Sequence, residues 1–507
     1  MAISLNIDRQ KLATVSRDLG NFLWVPGLMA AVSMPICIVT RDWPVLAALG
    51  ITLLVVLGLA SLFQHLGRPA VTGSMAQTLV SVAISWGVIS IIGGLPLWLA
   101  AIFMGETASP TMAAFKDISN ALFEGVSGFT SAGLTMAKQP SQLPTSIQWW
   151  RSLMQWTGGV GIIAFAIALL DPIDNTYALY QAEGRQARIR LTVSATVKRI
   201  WLIYISYTIA GIILFRLLGM PWWEAVNHAM TAISTGGFSV TDDSIGGYSA
   251  PVKLGAMVLM ICGAIAFSSH DRMIQQRRLS ALWQDRQHRL LLILLATGAG
   301  LVGLEHYSSS GQFDWLDSSF QWVSALSTCG FSSESLQFWS DGNKLMLSLA
   351  MIVGGAAGST VGGIKLDRLL LLCKTVQWRF RNNTLSTREL MQRRLDGAAI
   401  KPAQALEQIE DAVSLVMLWL AALLLGVWGL NQVVPSEYGL SDTFFEVASA
   451  LGAAGLSMGI TQPSLPWIGK YLLMLLMWMG RLEIIPVLLL LNLCVSRLLL
   501  LTRKSGL

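Results

Sequence analysis

The chain has 507 residues, of which 53% are hydrophobic and only 13% charged, with a formal net charge of +6. Soluble domains carry about 25% charged residues, so this composition excludes an ordinary water-solvated globule and marks a membrane chain. Cys37, Cys262, Cys329, Cys373 and Cys494 form no CxxC pair, and His65, His228, His270, His288 and His306 make no metal spacing, which argues against a disulfide framework or a zinc site.

In chain order, apolar stretches of about 20 residues, the length a bilayer core demands, predict ten spans. They lie at 21–40, 45–64, 77–104, 147–171, 194–219, 251–270, 287–306, 344–374, 408–431 and 467–502. Residues 1–20 hold no apolar core flanked by a cleavage site, so no cleaved signal is expected and the first span acts as the insertion signal. Basic residues fix the orientation. With both termini cytoplasmic, the inner loops hold Arg185, Arg188, Arg190, then Arg272, Arg277, Arg278, Arg286 and Arg289. Lys374, Arg379, Arg381, Arg388, Arg393, Arg394 and Lys401 follow, and Arg503 and Lys504 close the chain. The outer stretches 220–250, 305–343 and 433–466 carry Glu and Asp but neither Lys nor Arg. The excess positive charge is therefore a matter of topology and no sign of nucleic-acid binding. An acidic outer rim can in addition concentrate cations.

Four segments between these spans spell nearly the same thing: FEGVSGFTSAGLT at 123–135, NHAMTAISTGGFS at 227–239, FQWVSALSTCGFS at 320–332 and FEVASALGAAGLS at 445–457. Gly133, Gly237, Gly330 and Gly455 fall in register, each followed by Leu or Phe and then by Ser or Thr. The expected architecture is an all-α polytopic membrane protein of four pseudo-repeated helix–pore loop–helix units around one central pore. Residues 1–76 form an N-terminal segment with two extra transmembrane helices; the units are 77–171, 194–270, 287–374 and 408–505.

Each middle segment has about 10 residues of helical pattern, too short to cross a bilayer. Non-helical backbone at membrane depth survives only inside protein or beside water. A half-helix ending there aims its carbonyls and the negative end of its dipole at the axis. The residues that follow can then offer carbonyl oxygens to a dehydrated cation. The candidate ion-binding residues are Thr130, Ser131, Ala132 and Gly133; Ser234, Thr235, Gly236 and Gly237; Ser327, Thr328, Cys329 and Gly330; and Gly452, Ala453, Ala454 and Gly455. No carboxylate stands among them, which favours a monovalent alkali ion over a divalent one. Small residues of this kind also serve helix packing; four copies on one side of the membrane favour the pore loop. Glu124 and Glu446 share a register position with His228 and Gln321, which reads as pore-helix anchoring.

Span 344–374 is interrupted by Gly354, Gly355, Gly358, Gly362 and Gly363. A helix-interior glycine costs about 1 kcal/mol against alanine, so either the span unwinds or the glycines serve close helix packing. Arg481 and Glu483 lie near the middle of the last span, where a charge costs at least about 2.5 kcal/mol. Two residues apart, they do not share a helix face, and each requires another partner.

These loops, with GGAAGSTVGGIK at 354–365 and MGRLEIIPVLLLL at 479–491, resemble the Trk/Ktr/HKT superfamily of potassium transporters, most closely its bacterial TrkH-type subunit. The resemblance covers about residues 20–505, and the two extra N-terminal spans match the TrkH type. It implies K⁺ uptake across the inner membrane, with Gly133 pointing to K⁺ where a serine would point to Na⁺. It implies a mobile gating loop at 354–363 with Ser359 and Thr360 at its tip and Lys365 at its inner end. It further implies that Arg481 projects beneath the filter as a barrier to cations and an anchor for the gate, with Glu483 beside it. The alternative for Arg481 is a structural ion pair with an acid of a neighbouring helix. Loop 4 departs from the Thr-rich pattern at Gly452-Ala453-Ala454, which removes one hydroxyl.

By the same resemblance the partners are K⁺, the lipid bilayer, a second copy of the chain in a homodimer, and cytosolic RCK-type TrkA-like subunits on the basic inner loops; no covalent cofactor is implied. Neither a GxxxxGK[ST] loop nor a GxGxxG after a strand is present, so any regulatory nucleotide sits on a separate subunit. The alternative within transport is a Na⁺-permeable or H⁺/Na⁺-coupled version of the same fold. An enzyme would show His, Asp or Glu clustered on a helical face, and this chain does not.

Overall fold

The computed structural model describes residues 2–68, 74–161, 192–311, 314–384, 394–395, 398–399 and 401–504. Arg185, Arg188, Arg190, Arg388 and Arg393, and residues 162–171 of the fourth expected span, lie outside the described residues. Apart from one antiparallel pairing of Arg394–Leu395 with Ala398–Ala399, the described secondary structure is helical.

Three helices, making two membrane-length spans, precede the units. Ala2–Phe22 runs almost directly into Trp24–Thr40, so the first helical stretch begins well before residue 21. Arg41, at φ +61°, closes Trp24–Thr40, and Pro44 stands in the first turn of Trp43–Leu66. At that corner Asp42 accepts from the Ser146 N–H at 3.0 Å and its hydroxyl at 2.6 Å, tying the hairpin to the first unit.

Each unit then reads outer helix, pore helix, inner helix. The outer helices are Met75–Met104, Val193–Leu217, Arg286–Ser310 and Pro402–Asn431. The pore helices are Ile118–Thr130, Trp222–Ile233, Trp315–Leu326 and Leu440–Leu451. The inner helices begin at Thr145, Ala250, Asp341 and Trp467. Close packing of pore on outer helix depends on glycine: a Cβ at Gly125 would fall 2.4 Å from the Ser90 oxygen and from the Gly94 nitrogen.

Three inner spans are broken, one of them, 344–374, at the glycines that mark it in sequence. Ala250–Ala264 and Phe267–Gln276 meet at 101°. Asp341–Val353 stops where the glycine-rich stretch begins and helix resumes at Leu366–Thr384. The last span, read above as continuous through Arg481 and Glu483, ends at Arg481 and restarts at Ile485. Glu483 and Ile484 between the halves have φ of +56° and +67°, which no α-helix accommodates. Broken halves are short, so six described helices are long and apolar enough to cross a bilayer alone, or seven with the bent pair counted once.

Neighbouring units are joined by ion pairs from lysines at one register of the inner helices. Lys253 on the second inner helix meets Asp317 at the start of the third pore helix at 2.7 Å. Lys344 meets Asp442 at 2.7 Å, and Lys470 meets Asp117 at 3.5 Å. At the seam between the first and second units, Gln148 takes the lysine's place and accepts from the Trp223 indole at 2.7 Å.

Candidate functional site

All four pore helices end in the same way. The N–H groups of Ser131, Thr235, Thr328 and Ala453 bond carbonyls three residues back at 3.1, 3.1, 3.1 and 3.2 Å. Those of Ala132, Gly236, Cys329 and Ala454 bond carbonyls five residues back at 3.0, 2.9, 2.9 and 2.9 Å. This is the Schellman ending, usually built on glycine. Here it holds Ser131, Thr235, Thr328 and Ala453 at φ of +54°, +51°, +47° and +51°. Two residues on, Gly133, Gly237, Gly330 and Gly455 are again left-handed, at +83°, +76°, +89° and +88°. Repeated left-handed residues break the alternation of an extended strand and turn successive carbonyls to a common side.

The four loops close a ring. A Cβ on Gly133 would lie 2.3 Å from the Gly236 oxygen, one on Gly237 2.2 Å from the Cys329 oxygen, and one on Gly330 2.2 Å from the Ala454 oxygen. One on Gly455 would lie 2.8 Å from the Ala132 oxygen and 2.9 Å from the Gly133 Cα, which completes the circle. Only glycine fits such a ring, because any side chain would occupy the centre or collide with the neighbouring loop.

The hydroxyls of the loops are turned into the protein. Thr130 donates to the Val126 carbonyl at 2.7 Å, Ser131 to that of Gln155 at 3.1 Å, Ser234 to that of Thr231 at 3.2 Å and Ser327 to that of Ser324 at 3.3 Å. Backbone oxygens are thus the groups left to face an ion. A second tier fixes each loop from behind: Glu124 accepts from Thr135 at 2.8 Å, His228 bonds Ser239 at 2.9 Å, Gln321 donates to Ser332 at 3.0 Å and Glu446 accepts from Ser457 at 2.8 Å. The two glutamates, the histidine and the glutamine share one register and do one job. Buried Arg151, which the sequence reading missed, bonds Glu124 at 2.7 Å and the Ser239 carbonyl at 3.0 Å, joining the first loop to the second.

Beneath the ring lies the glycine-rich stretch. Gly354, Gly358 and Gly363 are left-handed, and a Cβ on Gly354 would meet the Gly362 oxygen at 2.4 Å, so the stretch folds back on itself. Gly355 packs beside Val361, where an added Cβ would lie 2.7 Å from the valine side chain. Ser359 donates to the Ala356 carbonyl at 2.6 Å. Thr360 contacts the second unit through the Thr235 hydroxyl at 3.2 Å, the Ile233 carbonyl at 3.2 Å and the Gly263 carbonyl at 3.0 Å. Gly362 donates to the Thr328 hydroxyl at 2.9 Å and leaves no room for a Cβ, which would sit 2.0 Å from the Gly452 oxygen. The stretch therefore touches the second, third and fourth loops. The absent hydroxyl at Ala453 corresponds to Thr235 and Thr328, whose hydroxyls hold this stretch.

Arg481 reaches the first unit. It donates to the carbonyls of Gly158 and, at 3.0 Å, Gly159, and to that of Thr360 at 3.3 Å, with its guanidinium 5.4 Å from the Trp86 ring. Glu483 lies apart from this contact. It accepts from Lys365 at 2.8 Å and from Arg368 at 2.5 Å, pinning the inner end of the stretch to the last helix. Arg368 had no signal in sequence, since its role depends on the break that redirects Glu483.

Four half-helices converging on a ring of backbone oxygens, inside a bundle of membrane-length helices, define a multi-pass membrane transport protein of the pore-loop kind. The comparisons agree. The TrkH family profile, described as cation transport protein, matches residues 47–495. An uncharacterised cation transporter of Methanocaldococcus jannaschii is 31% identical over 422 residues, 82% of each chain. The Trk system potassium uptake protein TrkH of Halomonas elongata is 30% identical over 432 residues, 80% of this chain and 83% of that one. The crystal structure of the potassium transporter TrkH from Vibrio parahaemolyticus superposes with a TM-score of 0.79 at 24% identity, covering 94% of this chain and 98% of that one, a likeness of fold. The chain belongs to the TrkH family of cation transport proteins and is a transporter, not an enzyme.

Proposed function

We propose that the protein mediates K⁺ uptake across the bacterial inner membrane; its relative in Halomonas elongata is a Trk system potassium uptake protein. The ion would pass through the ring of Gly133, Gly237, Gly330 and Gly455, coordinated by carbonyls of residues 130–133, 234–237, 327–330 and 452–455. The observation that carries this reading is the closure of the ring, in which each glycine abuts a carbonyl of the next loop. Four pore-helix dipoles directed at one centre favour a cation there, and carbonyl oxygens suit a weakly hydrated alkali ion.

Residues 354–363 lie against three of the loops and Arg481 bridges them to the first unit, so together they close the path below the filter. Opening requires the stretch to leave Thr235 and Thr328 and Arg481 to release Thr360. Both termini are cytoplasmic in this reading. A homodimer and a cytosolic TrkA-like ring of RCK type complete the assembly, with the basic inner loops as the contact.

Growth of a potassium-uptake-deficient bacterium on low K⁺, with and without an RCK partner, tests the proposal. Restored growth that depends on Gly237 supports it; failure of the folded protein to carry K⁺ in proteoliposomes overturns it. Reversal potentials in the same vesicles distinguish a Na⁺-permeable or H⁺/Na⁺-coupled transporter.

A further inference from the structure

The first inner helix differs from the other three at two positions seven residues apart. Lys253, Lys344 and Lys470 are followed at that interval by Met260, Met351 and Met477, whereas Gln148 is followed by Gln155. All four of the later residues are buried. A methionine in such a place only fills space; a glutamine brings two donors and an acceptor that require partners.

Gln155 finds them on two filter loops. Its side-chain N–H donates to the Gly236 carbonyl at 2.6 Å, its side-chain oxygen accepts from the Phe238 N–H at 2.9 Å, and its backbone oxygen accepts from the Ser131 hydroxyl at 3.1 Å. The filter sequence departs from its own pattern at the matching place. The residue before the ring glycine is Ala132, Cys329 and Ala454 in three loops and Gly236 in the fourth. A Cβ at 236 would fall 2.5 Å from the Gln155 carboxamide. The glutamine and the missing side chain are two halves of one fit.

We infer that Gln155 is a positioning residue for ion selectivity: its amide fixes the Gly236 carbonyl and so sets the second loop apart from the other three. The inference rests on the filter reading above. An oxygen that already accepts a short N–H bond is held in place and lends part of its lone-pair density elsewhere. It cannot swing inward to meet a smaller ion. With the amide removed, the Gly236 carbonyl is free to close on Na⁺, and discrimination falls.

The test uses the full-length protein in proteoliposomes, with K⁺ and Na⁺ competing against ⁸⁶Rb⁺, and K⁺ and Na⁺ titrations of thermal stability as an equilibrium readout that needs no flux. Gln155→Leu, of similar size, removes the donor to Gly236 together with the acceptor for Phe238. Gln155→Met combined with Gly236→Ala rebuilds the pattern of the other seams, so the pair is expected to fold. Both are expected to lower the preference for K⁺ over Na⁺ by about three- to tenfold, the worth of one hydrogen bond, with K⁺ still bound. An unchanged preference in both variants overturns the role of Gln155 and leaves the filter reading intact. A parent protein with neither K⁺ flux nor K⁺-dependent stabilisation overturns the filter reading itself, and the inference with it.

Discussion

A guanidinium N–H of Arg481 donates to the carbonyl of Thr360 at 3.3 Å, joining the helix Trp467–Arg481 to the glycine-rich stretch beside the glycine ring. The same side chain holds Gly158 and Gly159 on the first unit. Hydrogen bonds to a charged group contribute about 1.5–3 kcal/mol each, so their loss shifts a closed-to-open balance by about tenfold or more. Arg481→Ala is therefore expected to raise ⁸⁶Rb⁺ flux in proteoliposomes by about tenfold. Unchanged or lower flux in a normally folded variant would contradict the gating role.

The ring itself is tested at Gly330. At φ +89° a side chain is strained, and its Cβ would lie 2.2 Å from the Ala454 oxygen and 2.9 Å from the Gly455 Cα. Gly330→Val should abolish rescue of a potassium-uptake-deficient strain on low K⁺ while the purified protein keeps its elution profile. Rescue at the parent's level would mean that the ring is not the path.

Much of this arrangement is written locally in the chain. Half-helices too short to span, and a glycine at a fixed distance with a small residue before it and a Leu or Phe after it, declare the pore loops, and five glycines in one span declare a break. The break after Arg481 is signalled in sequence only by Pro486, which stands at the second position of the resumed helix and cannot continue an α-helix from before it. The left-handed backbone of Glu483 and Ile484 is not legible, and it accompanies the reach of Glu483 to Lys365 and Arg368 across the bundle. The bend before Phe267 has the same origin, since the Ala266 N–H is taken by His288 at 3.2 Å and the Phe267 N–H by Gly358 at 3.0 Å. The lysine-to-aspartate seams are visible only after the loops are aligned, as partners 64, 98 and 353 residues apart carry no local pattern. Gln155 is the clearest case: an unremarked glutamine until the three methionines are set beside it.

The seams make a stability prediction. Lys344 and Asp442 are 9% and 15% exposed and 2.7 Å apart. Removing one member of a buried pair leaves the other charge without compensation, at a cost of about 3–5 kcal/mol, whereas replacing both is often neutral. Lys344→Met should lower the thermal unfolding temperature in detergent, and Lys344→Met with Asp442→Asn should recover most of the loss. If the double variant is no more stable than the single one, the seam is not held by this pair.

Glu334, four residues after Gly330 in the loop that follows the third pore helix, gives a pH dependence of known sign. Burial, and then the nearby Asp317 and Asp314, push its carboxyl above the usual range, against the pull of His306 and a bond from Trp339. One carboxyl oxygen is buried without a hydrogen-bond partner. The fold thus favours the protonated form, so the unfolded chain binds fewer protons than the native one as pH rises past the ordinary carboxylate range. Stability from this group is full in acid and is lost as pH climbs through the raised native value. Glu334→Gln, which is neutral at every pH, should unfold at a higher temperature than the parent at pH 7 and at the same temperature in acid below the ordinary carboxylate range. Unfolding curves across that range check the sign, and a variant less stable than the parent at pH 7 would show that the carboxylate is held charged by the loop.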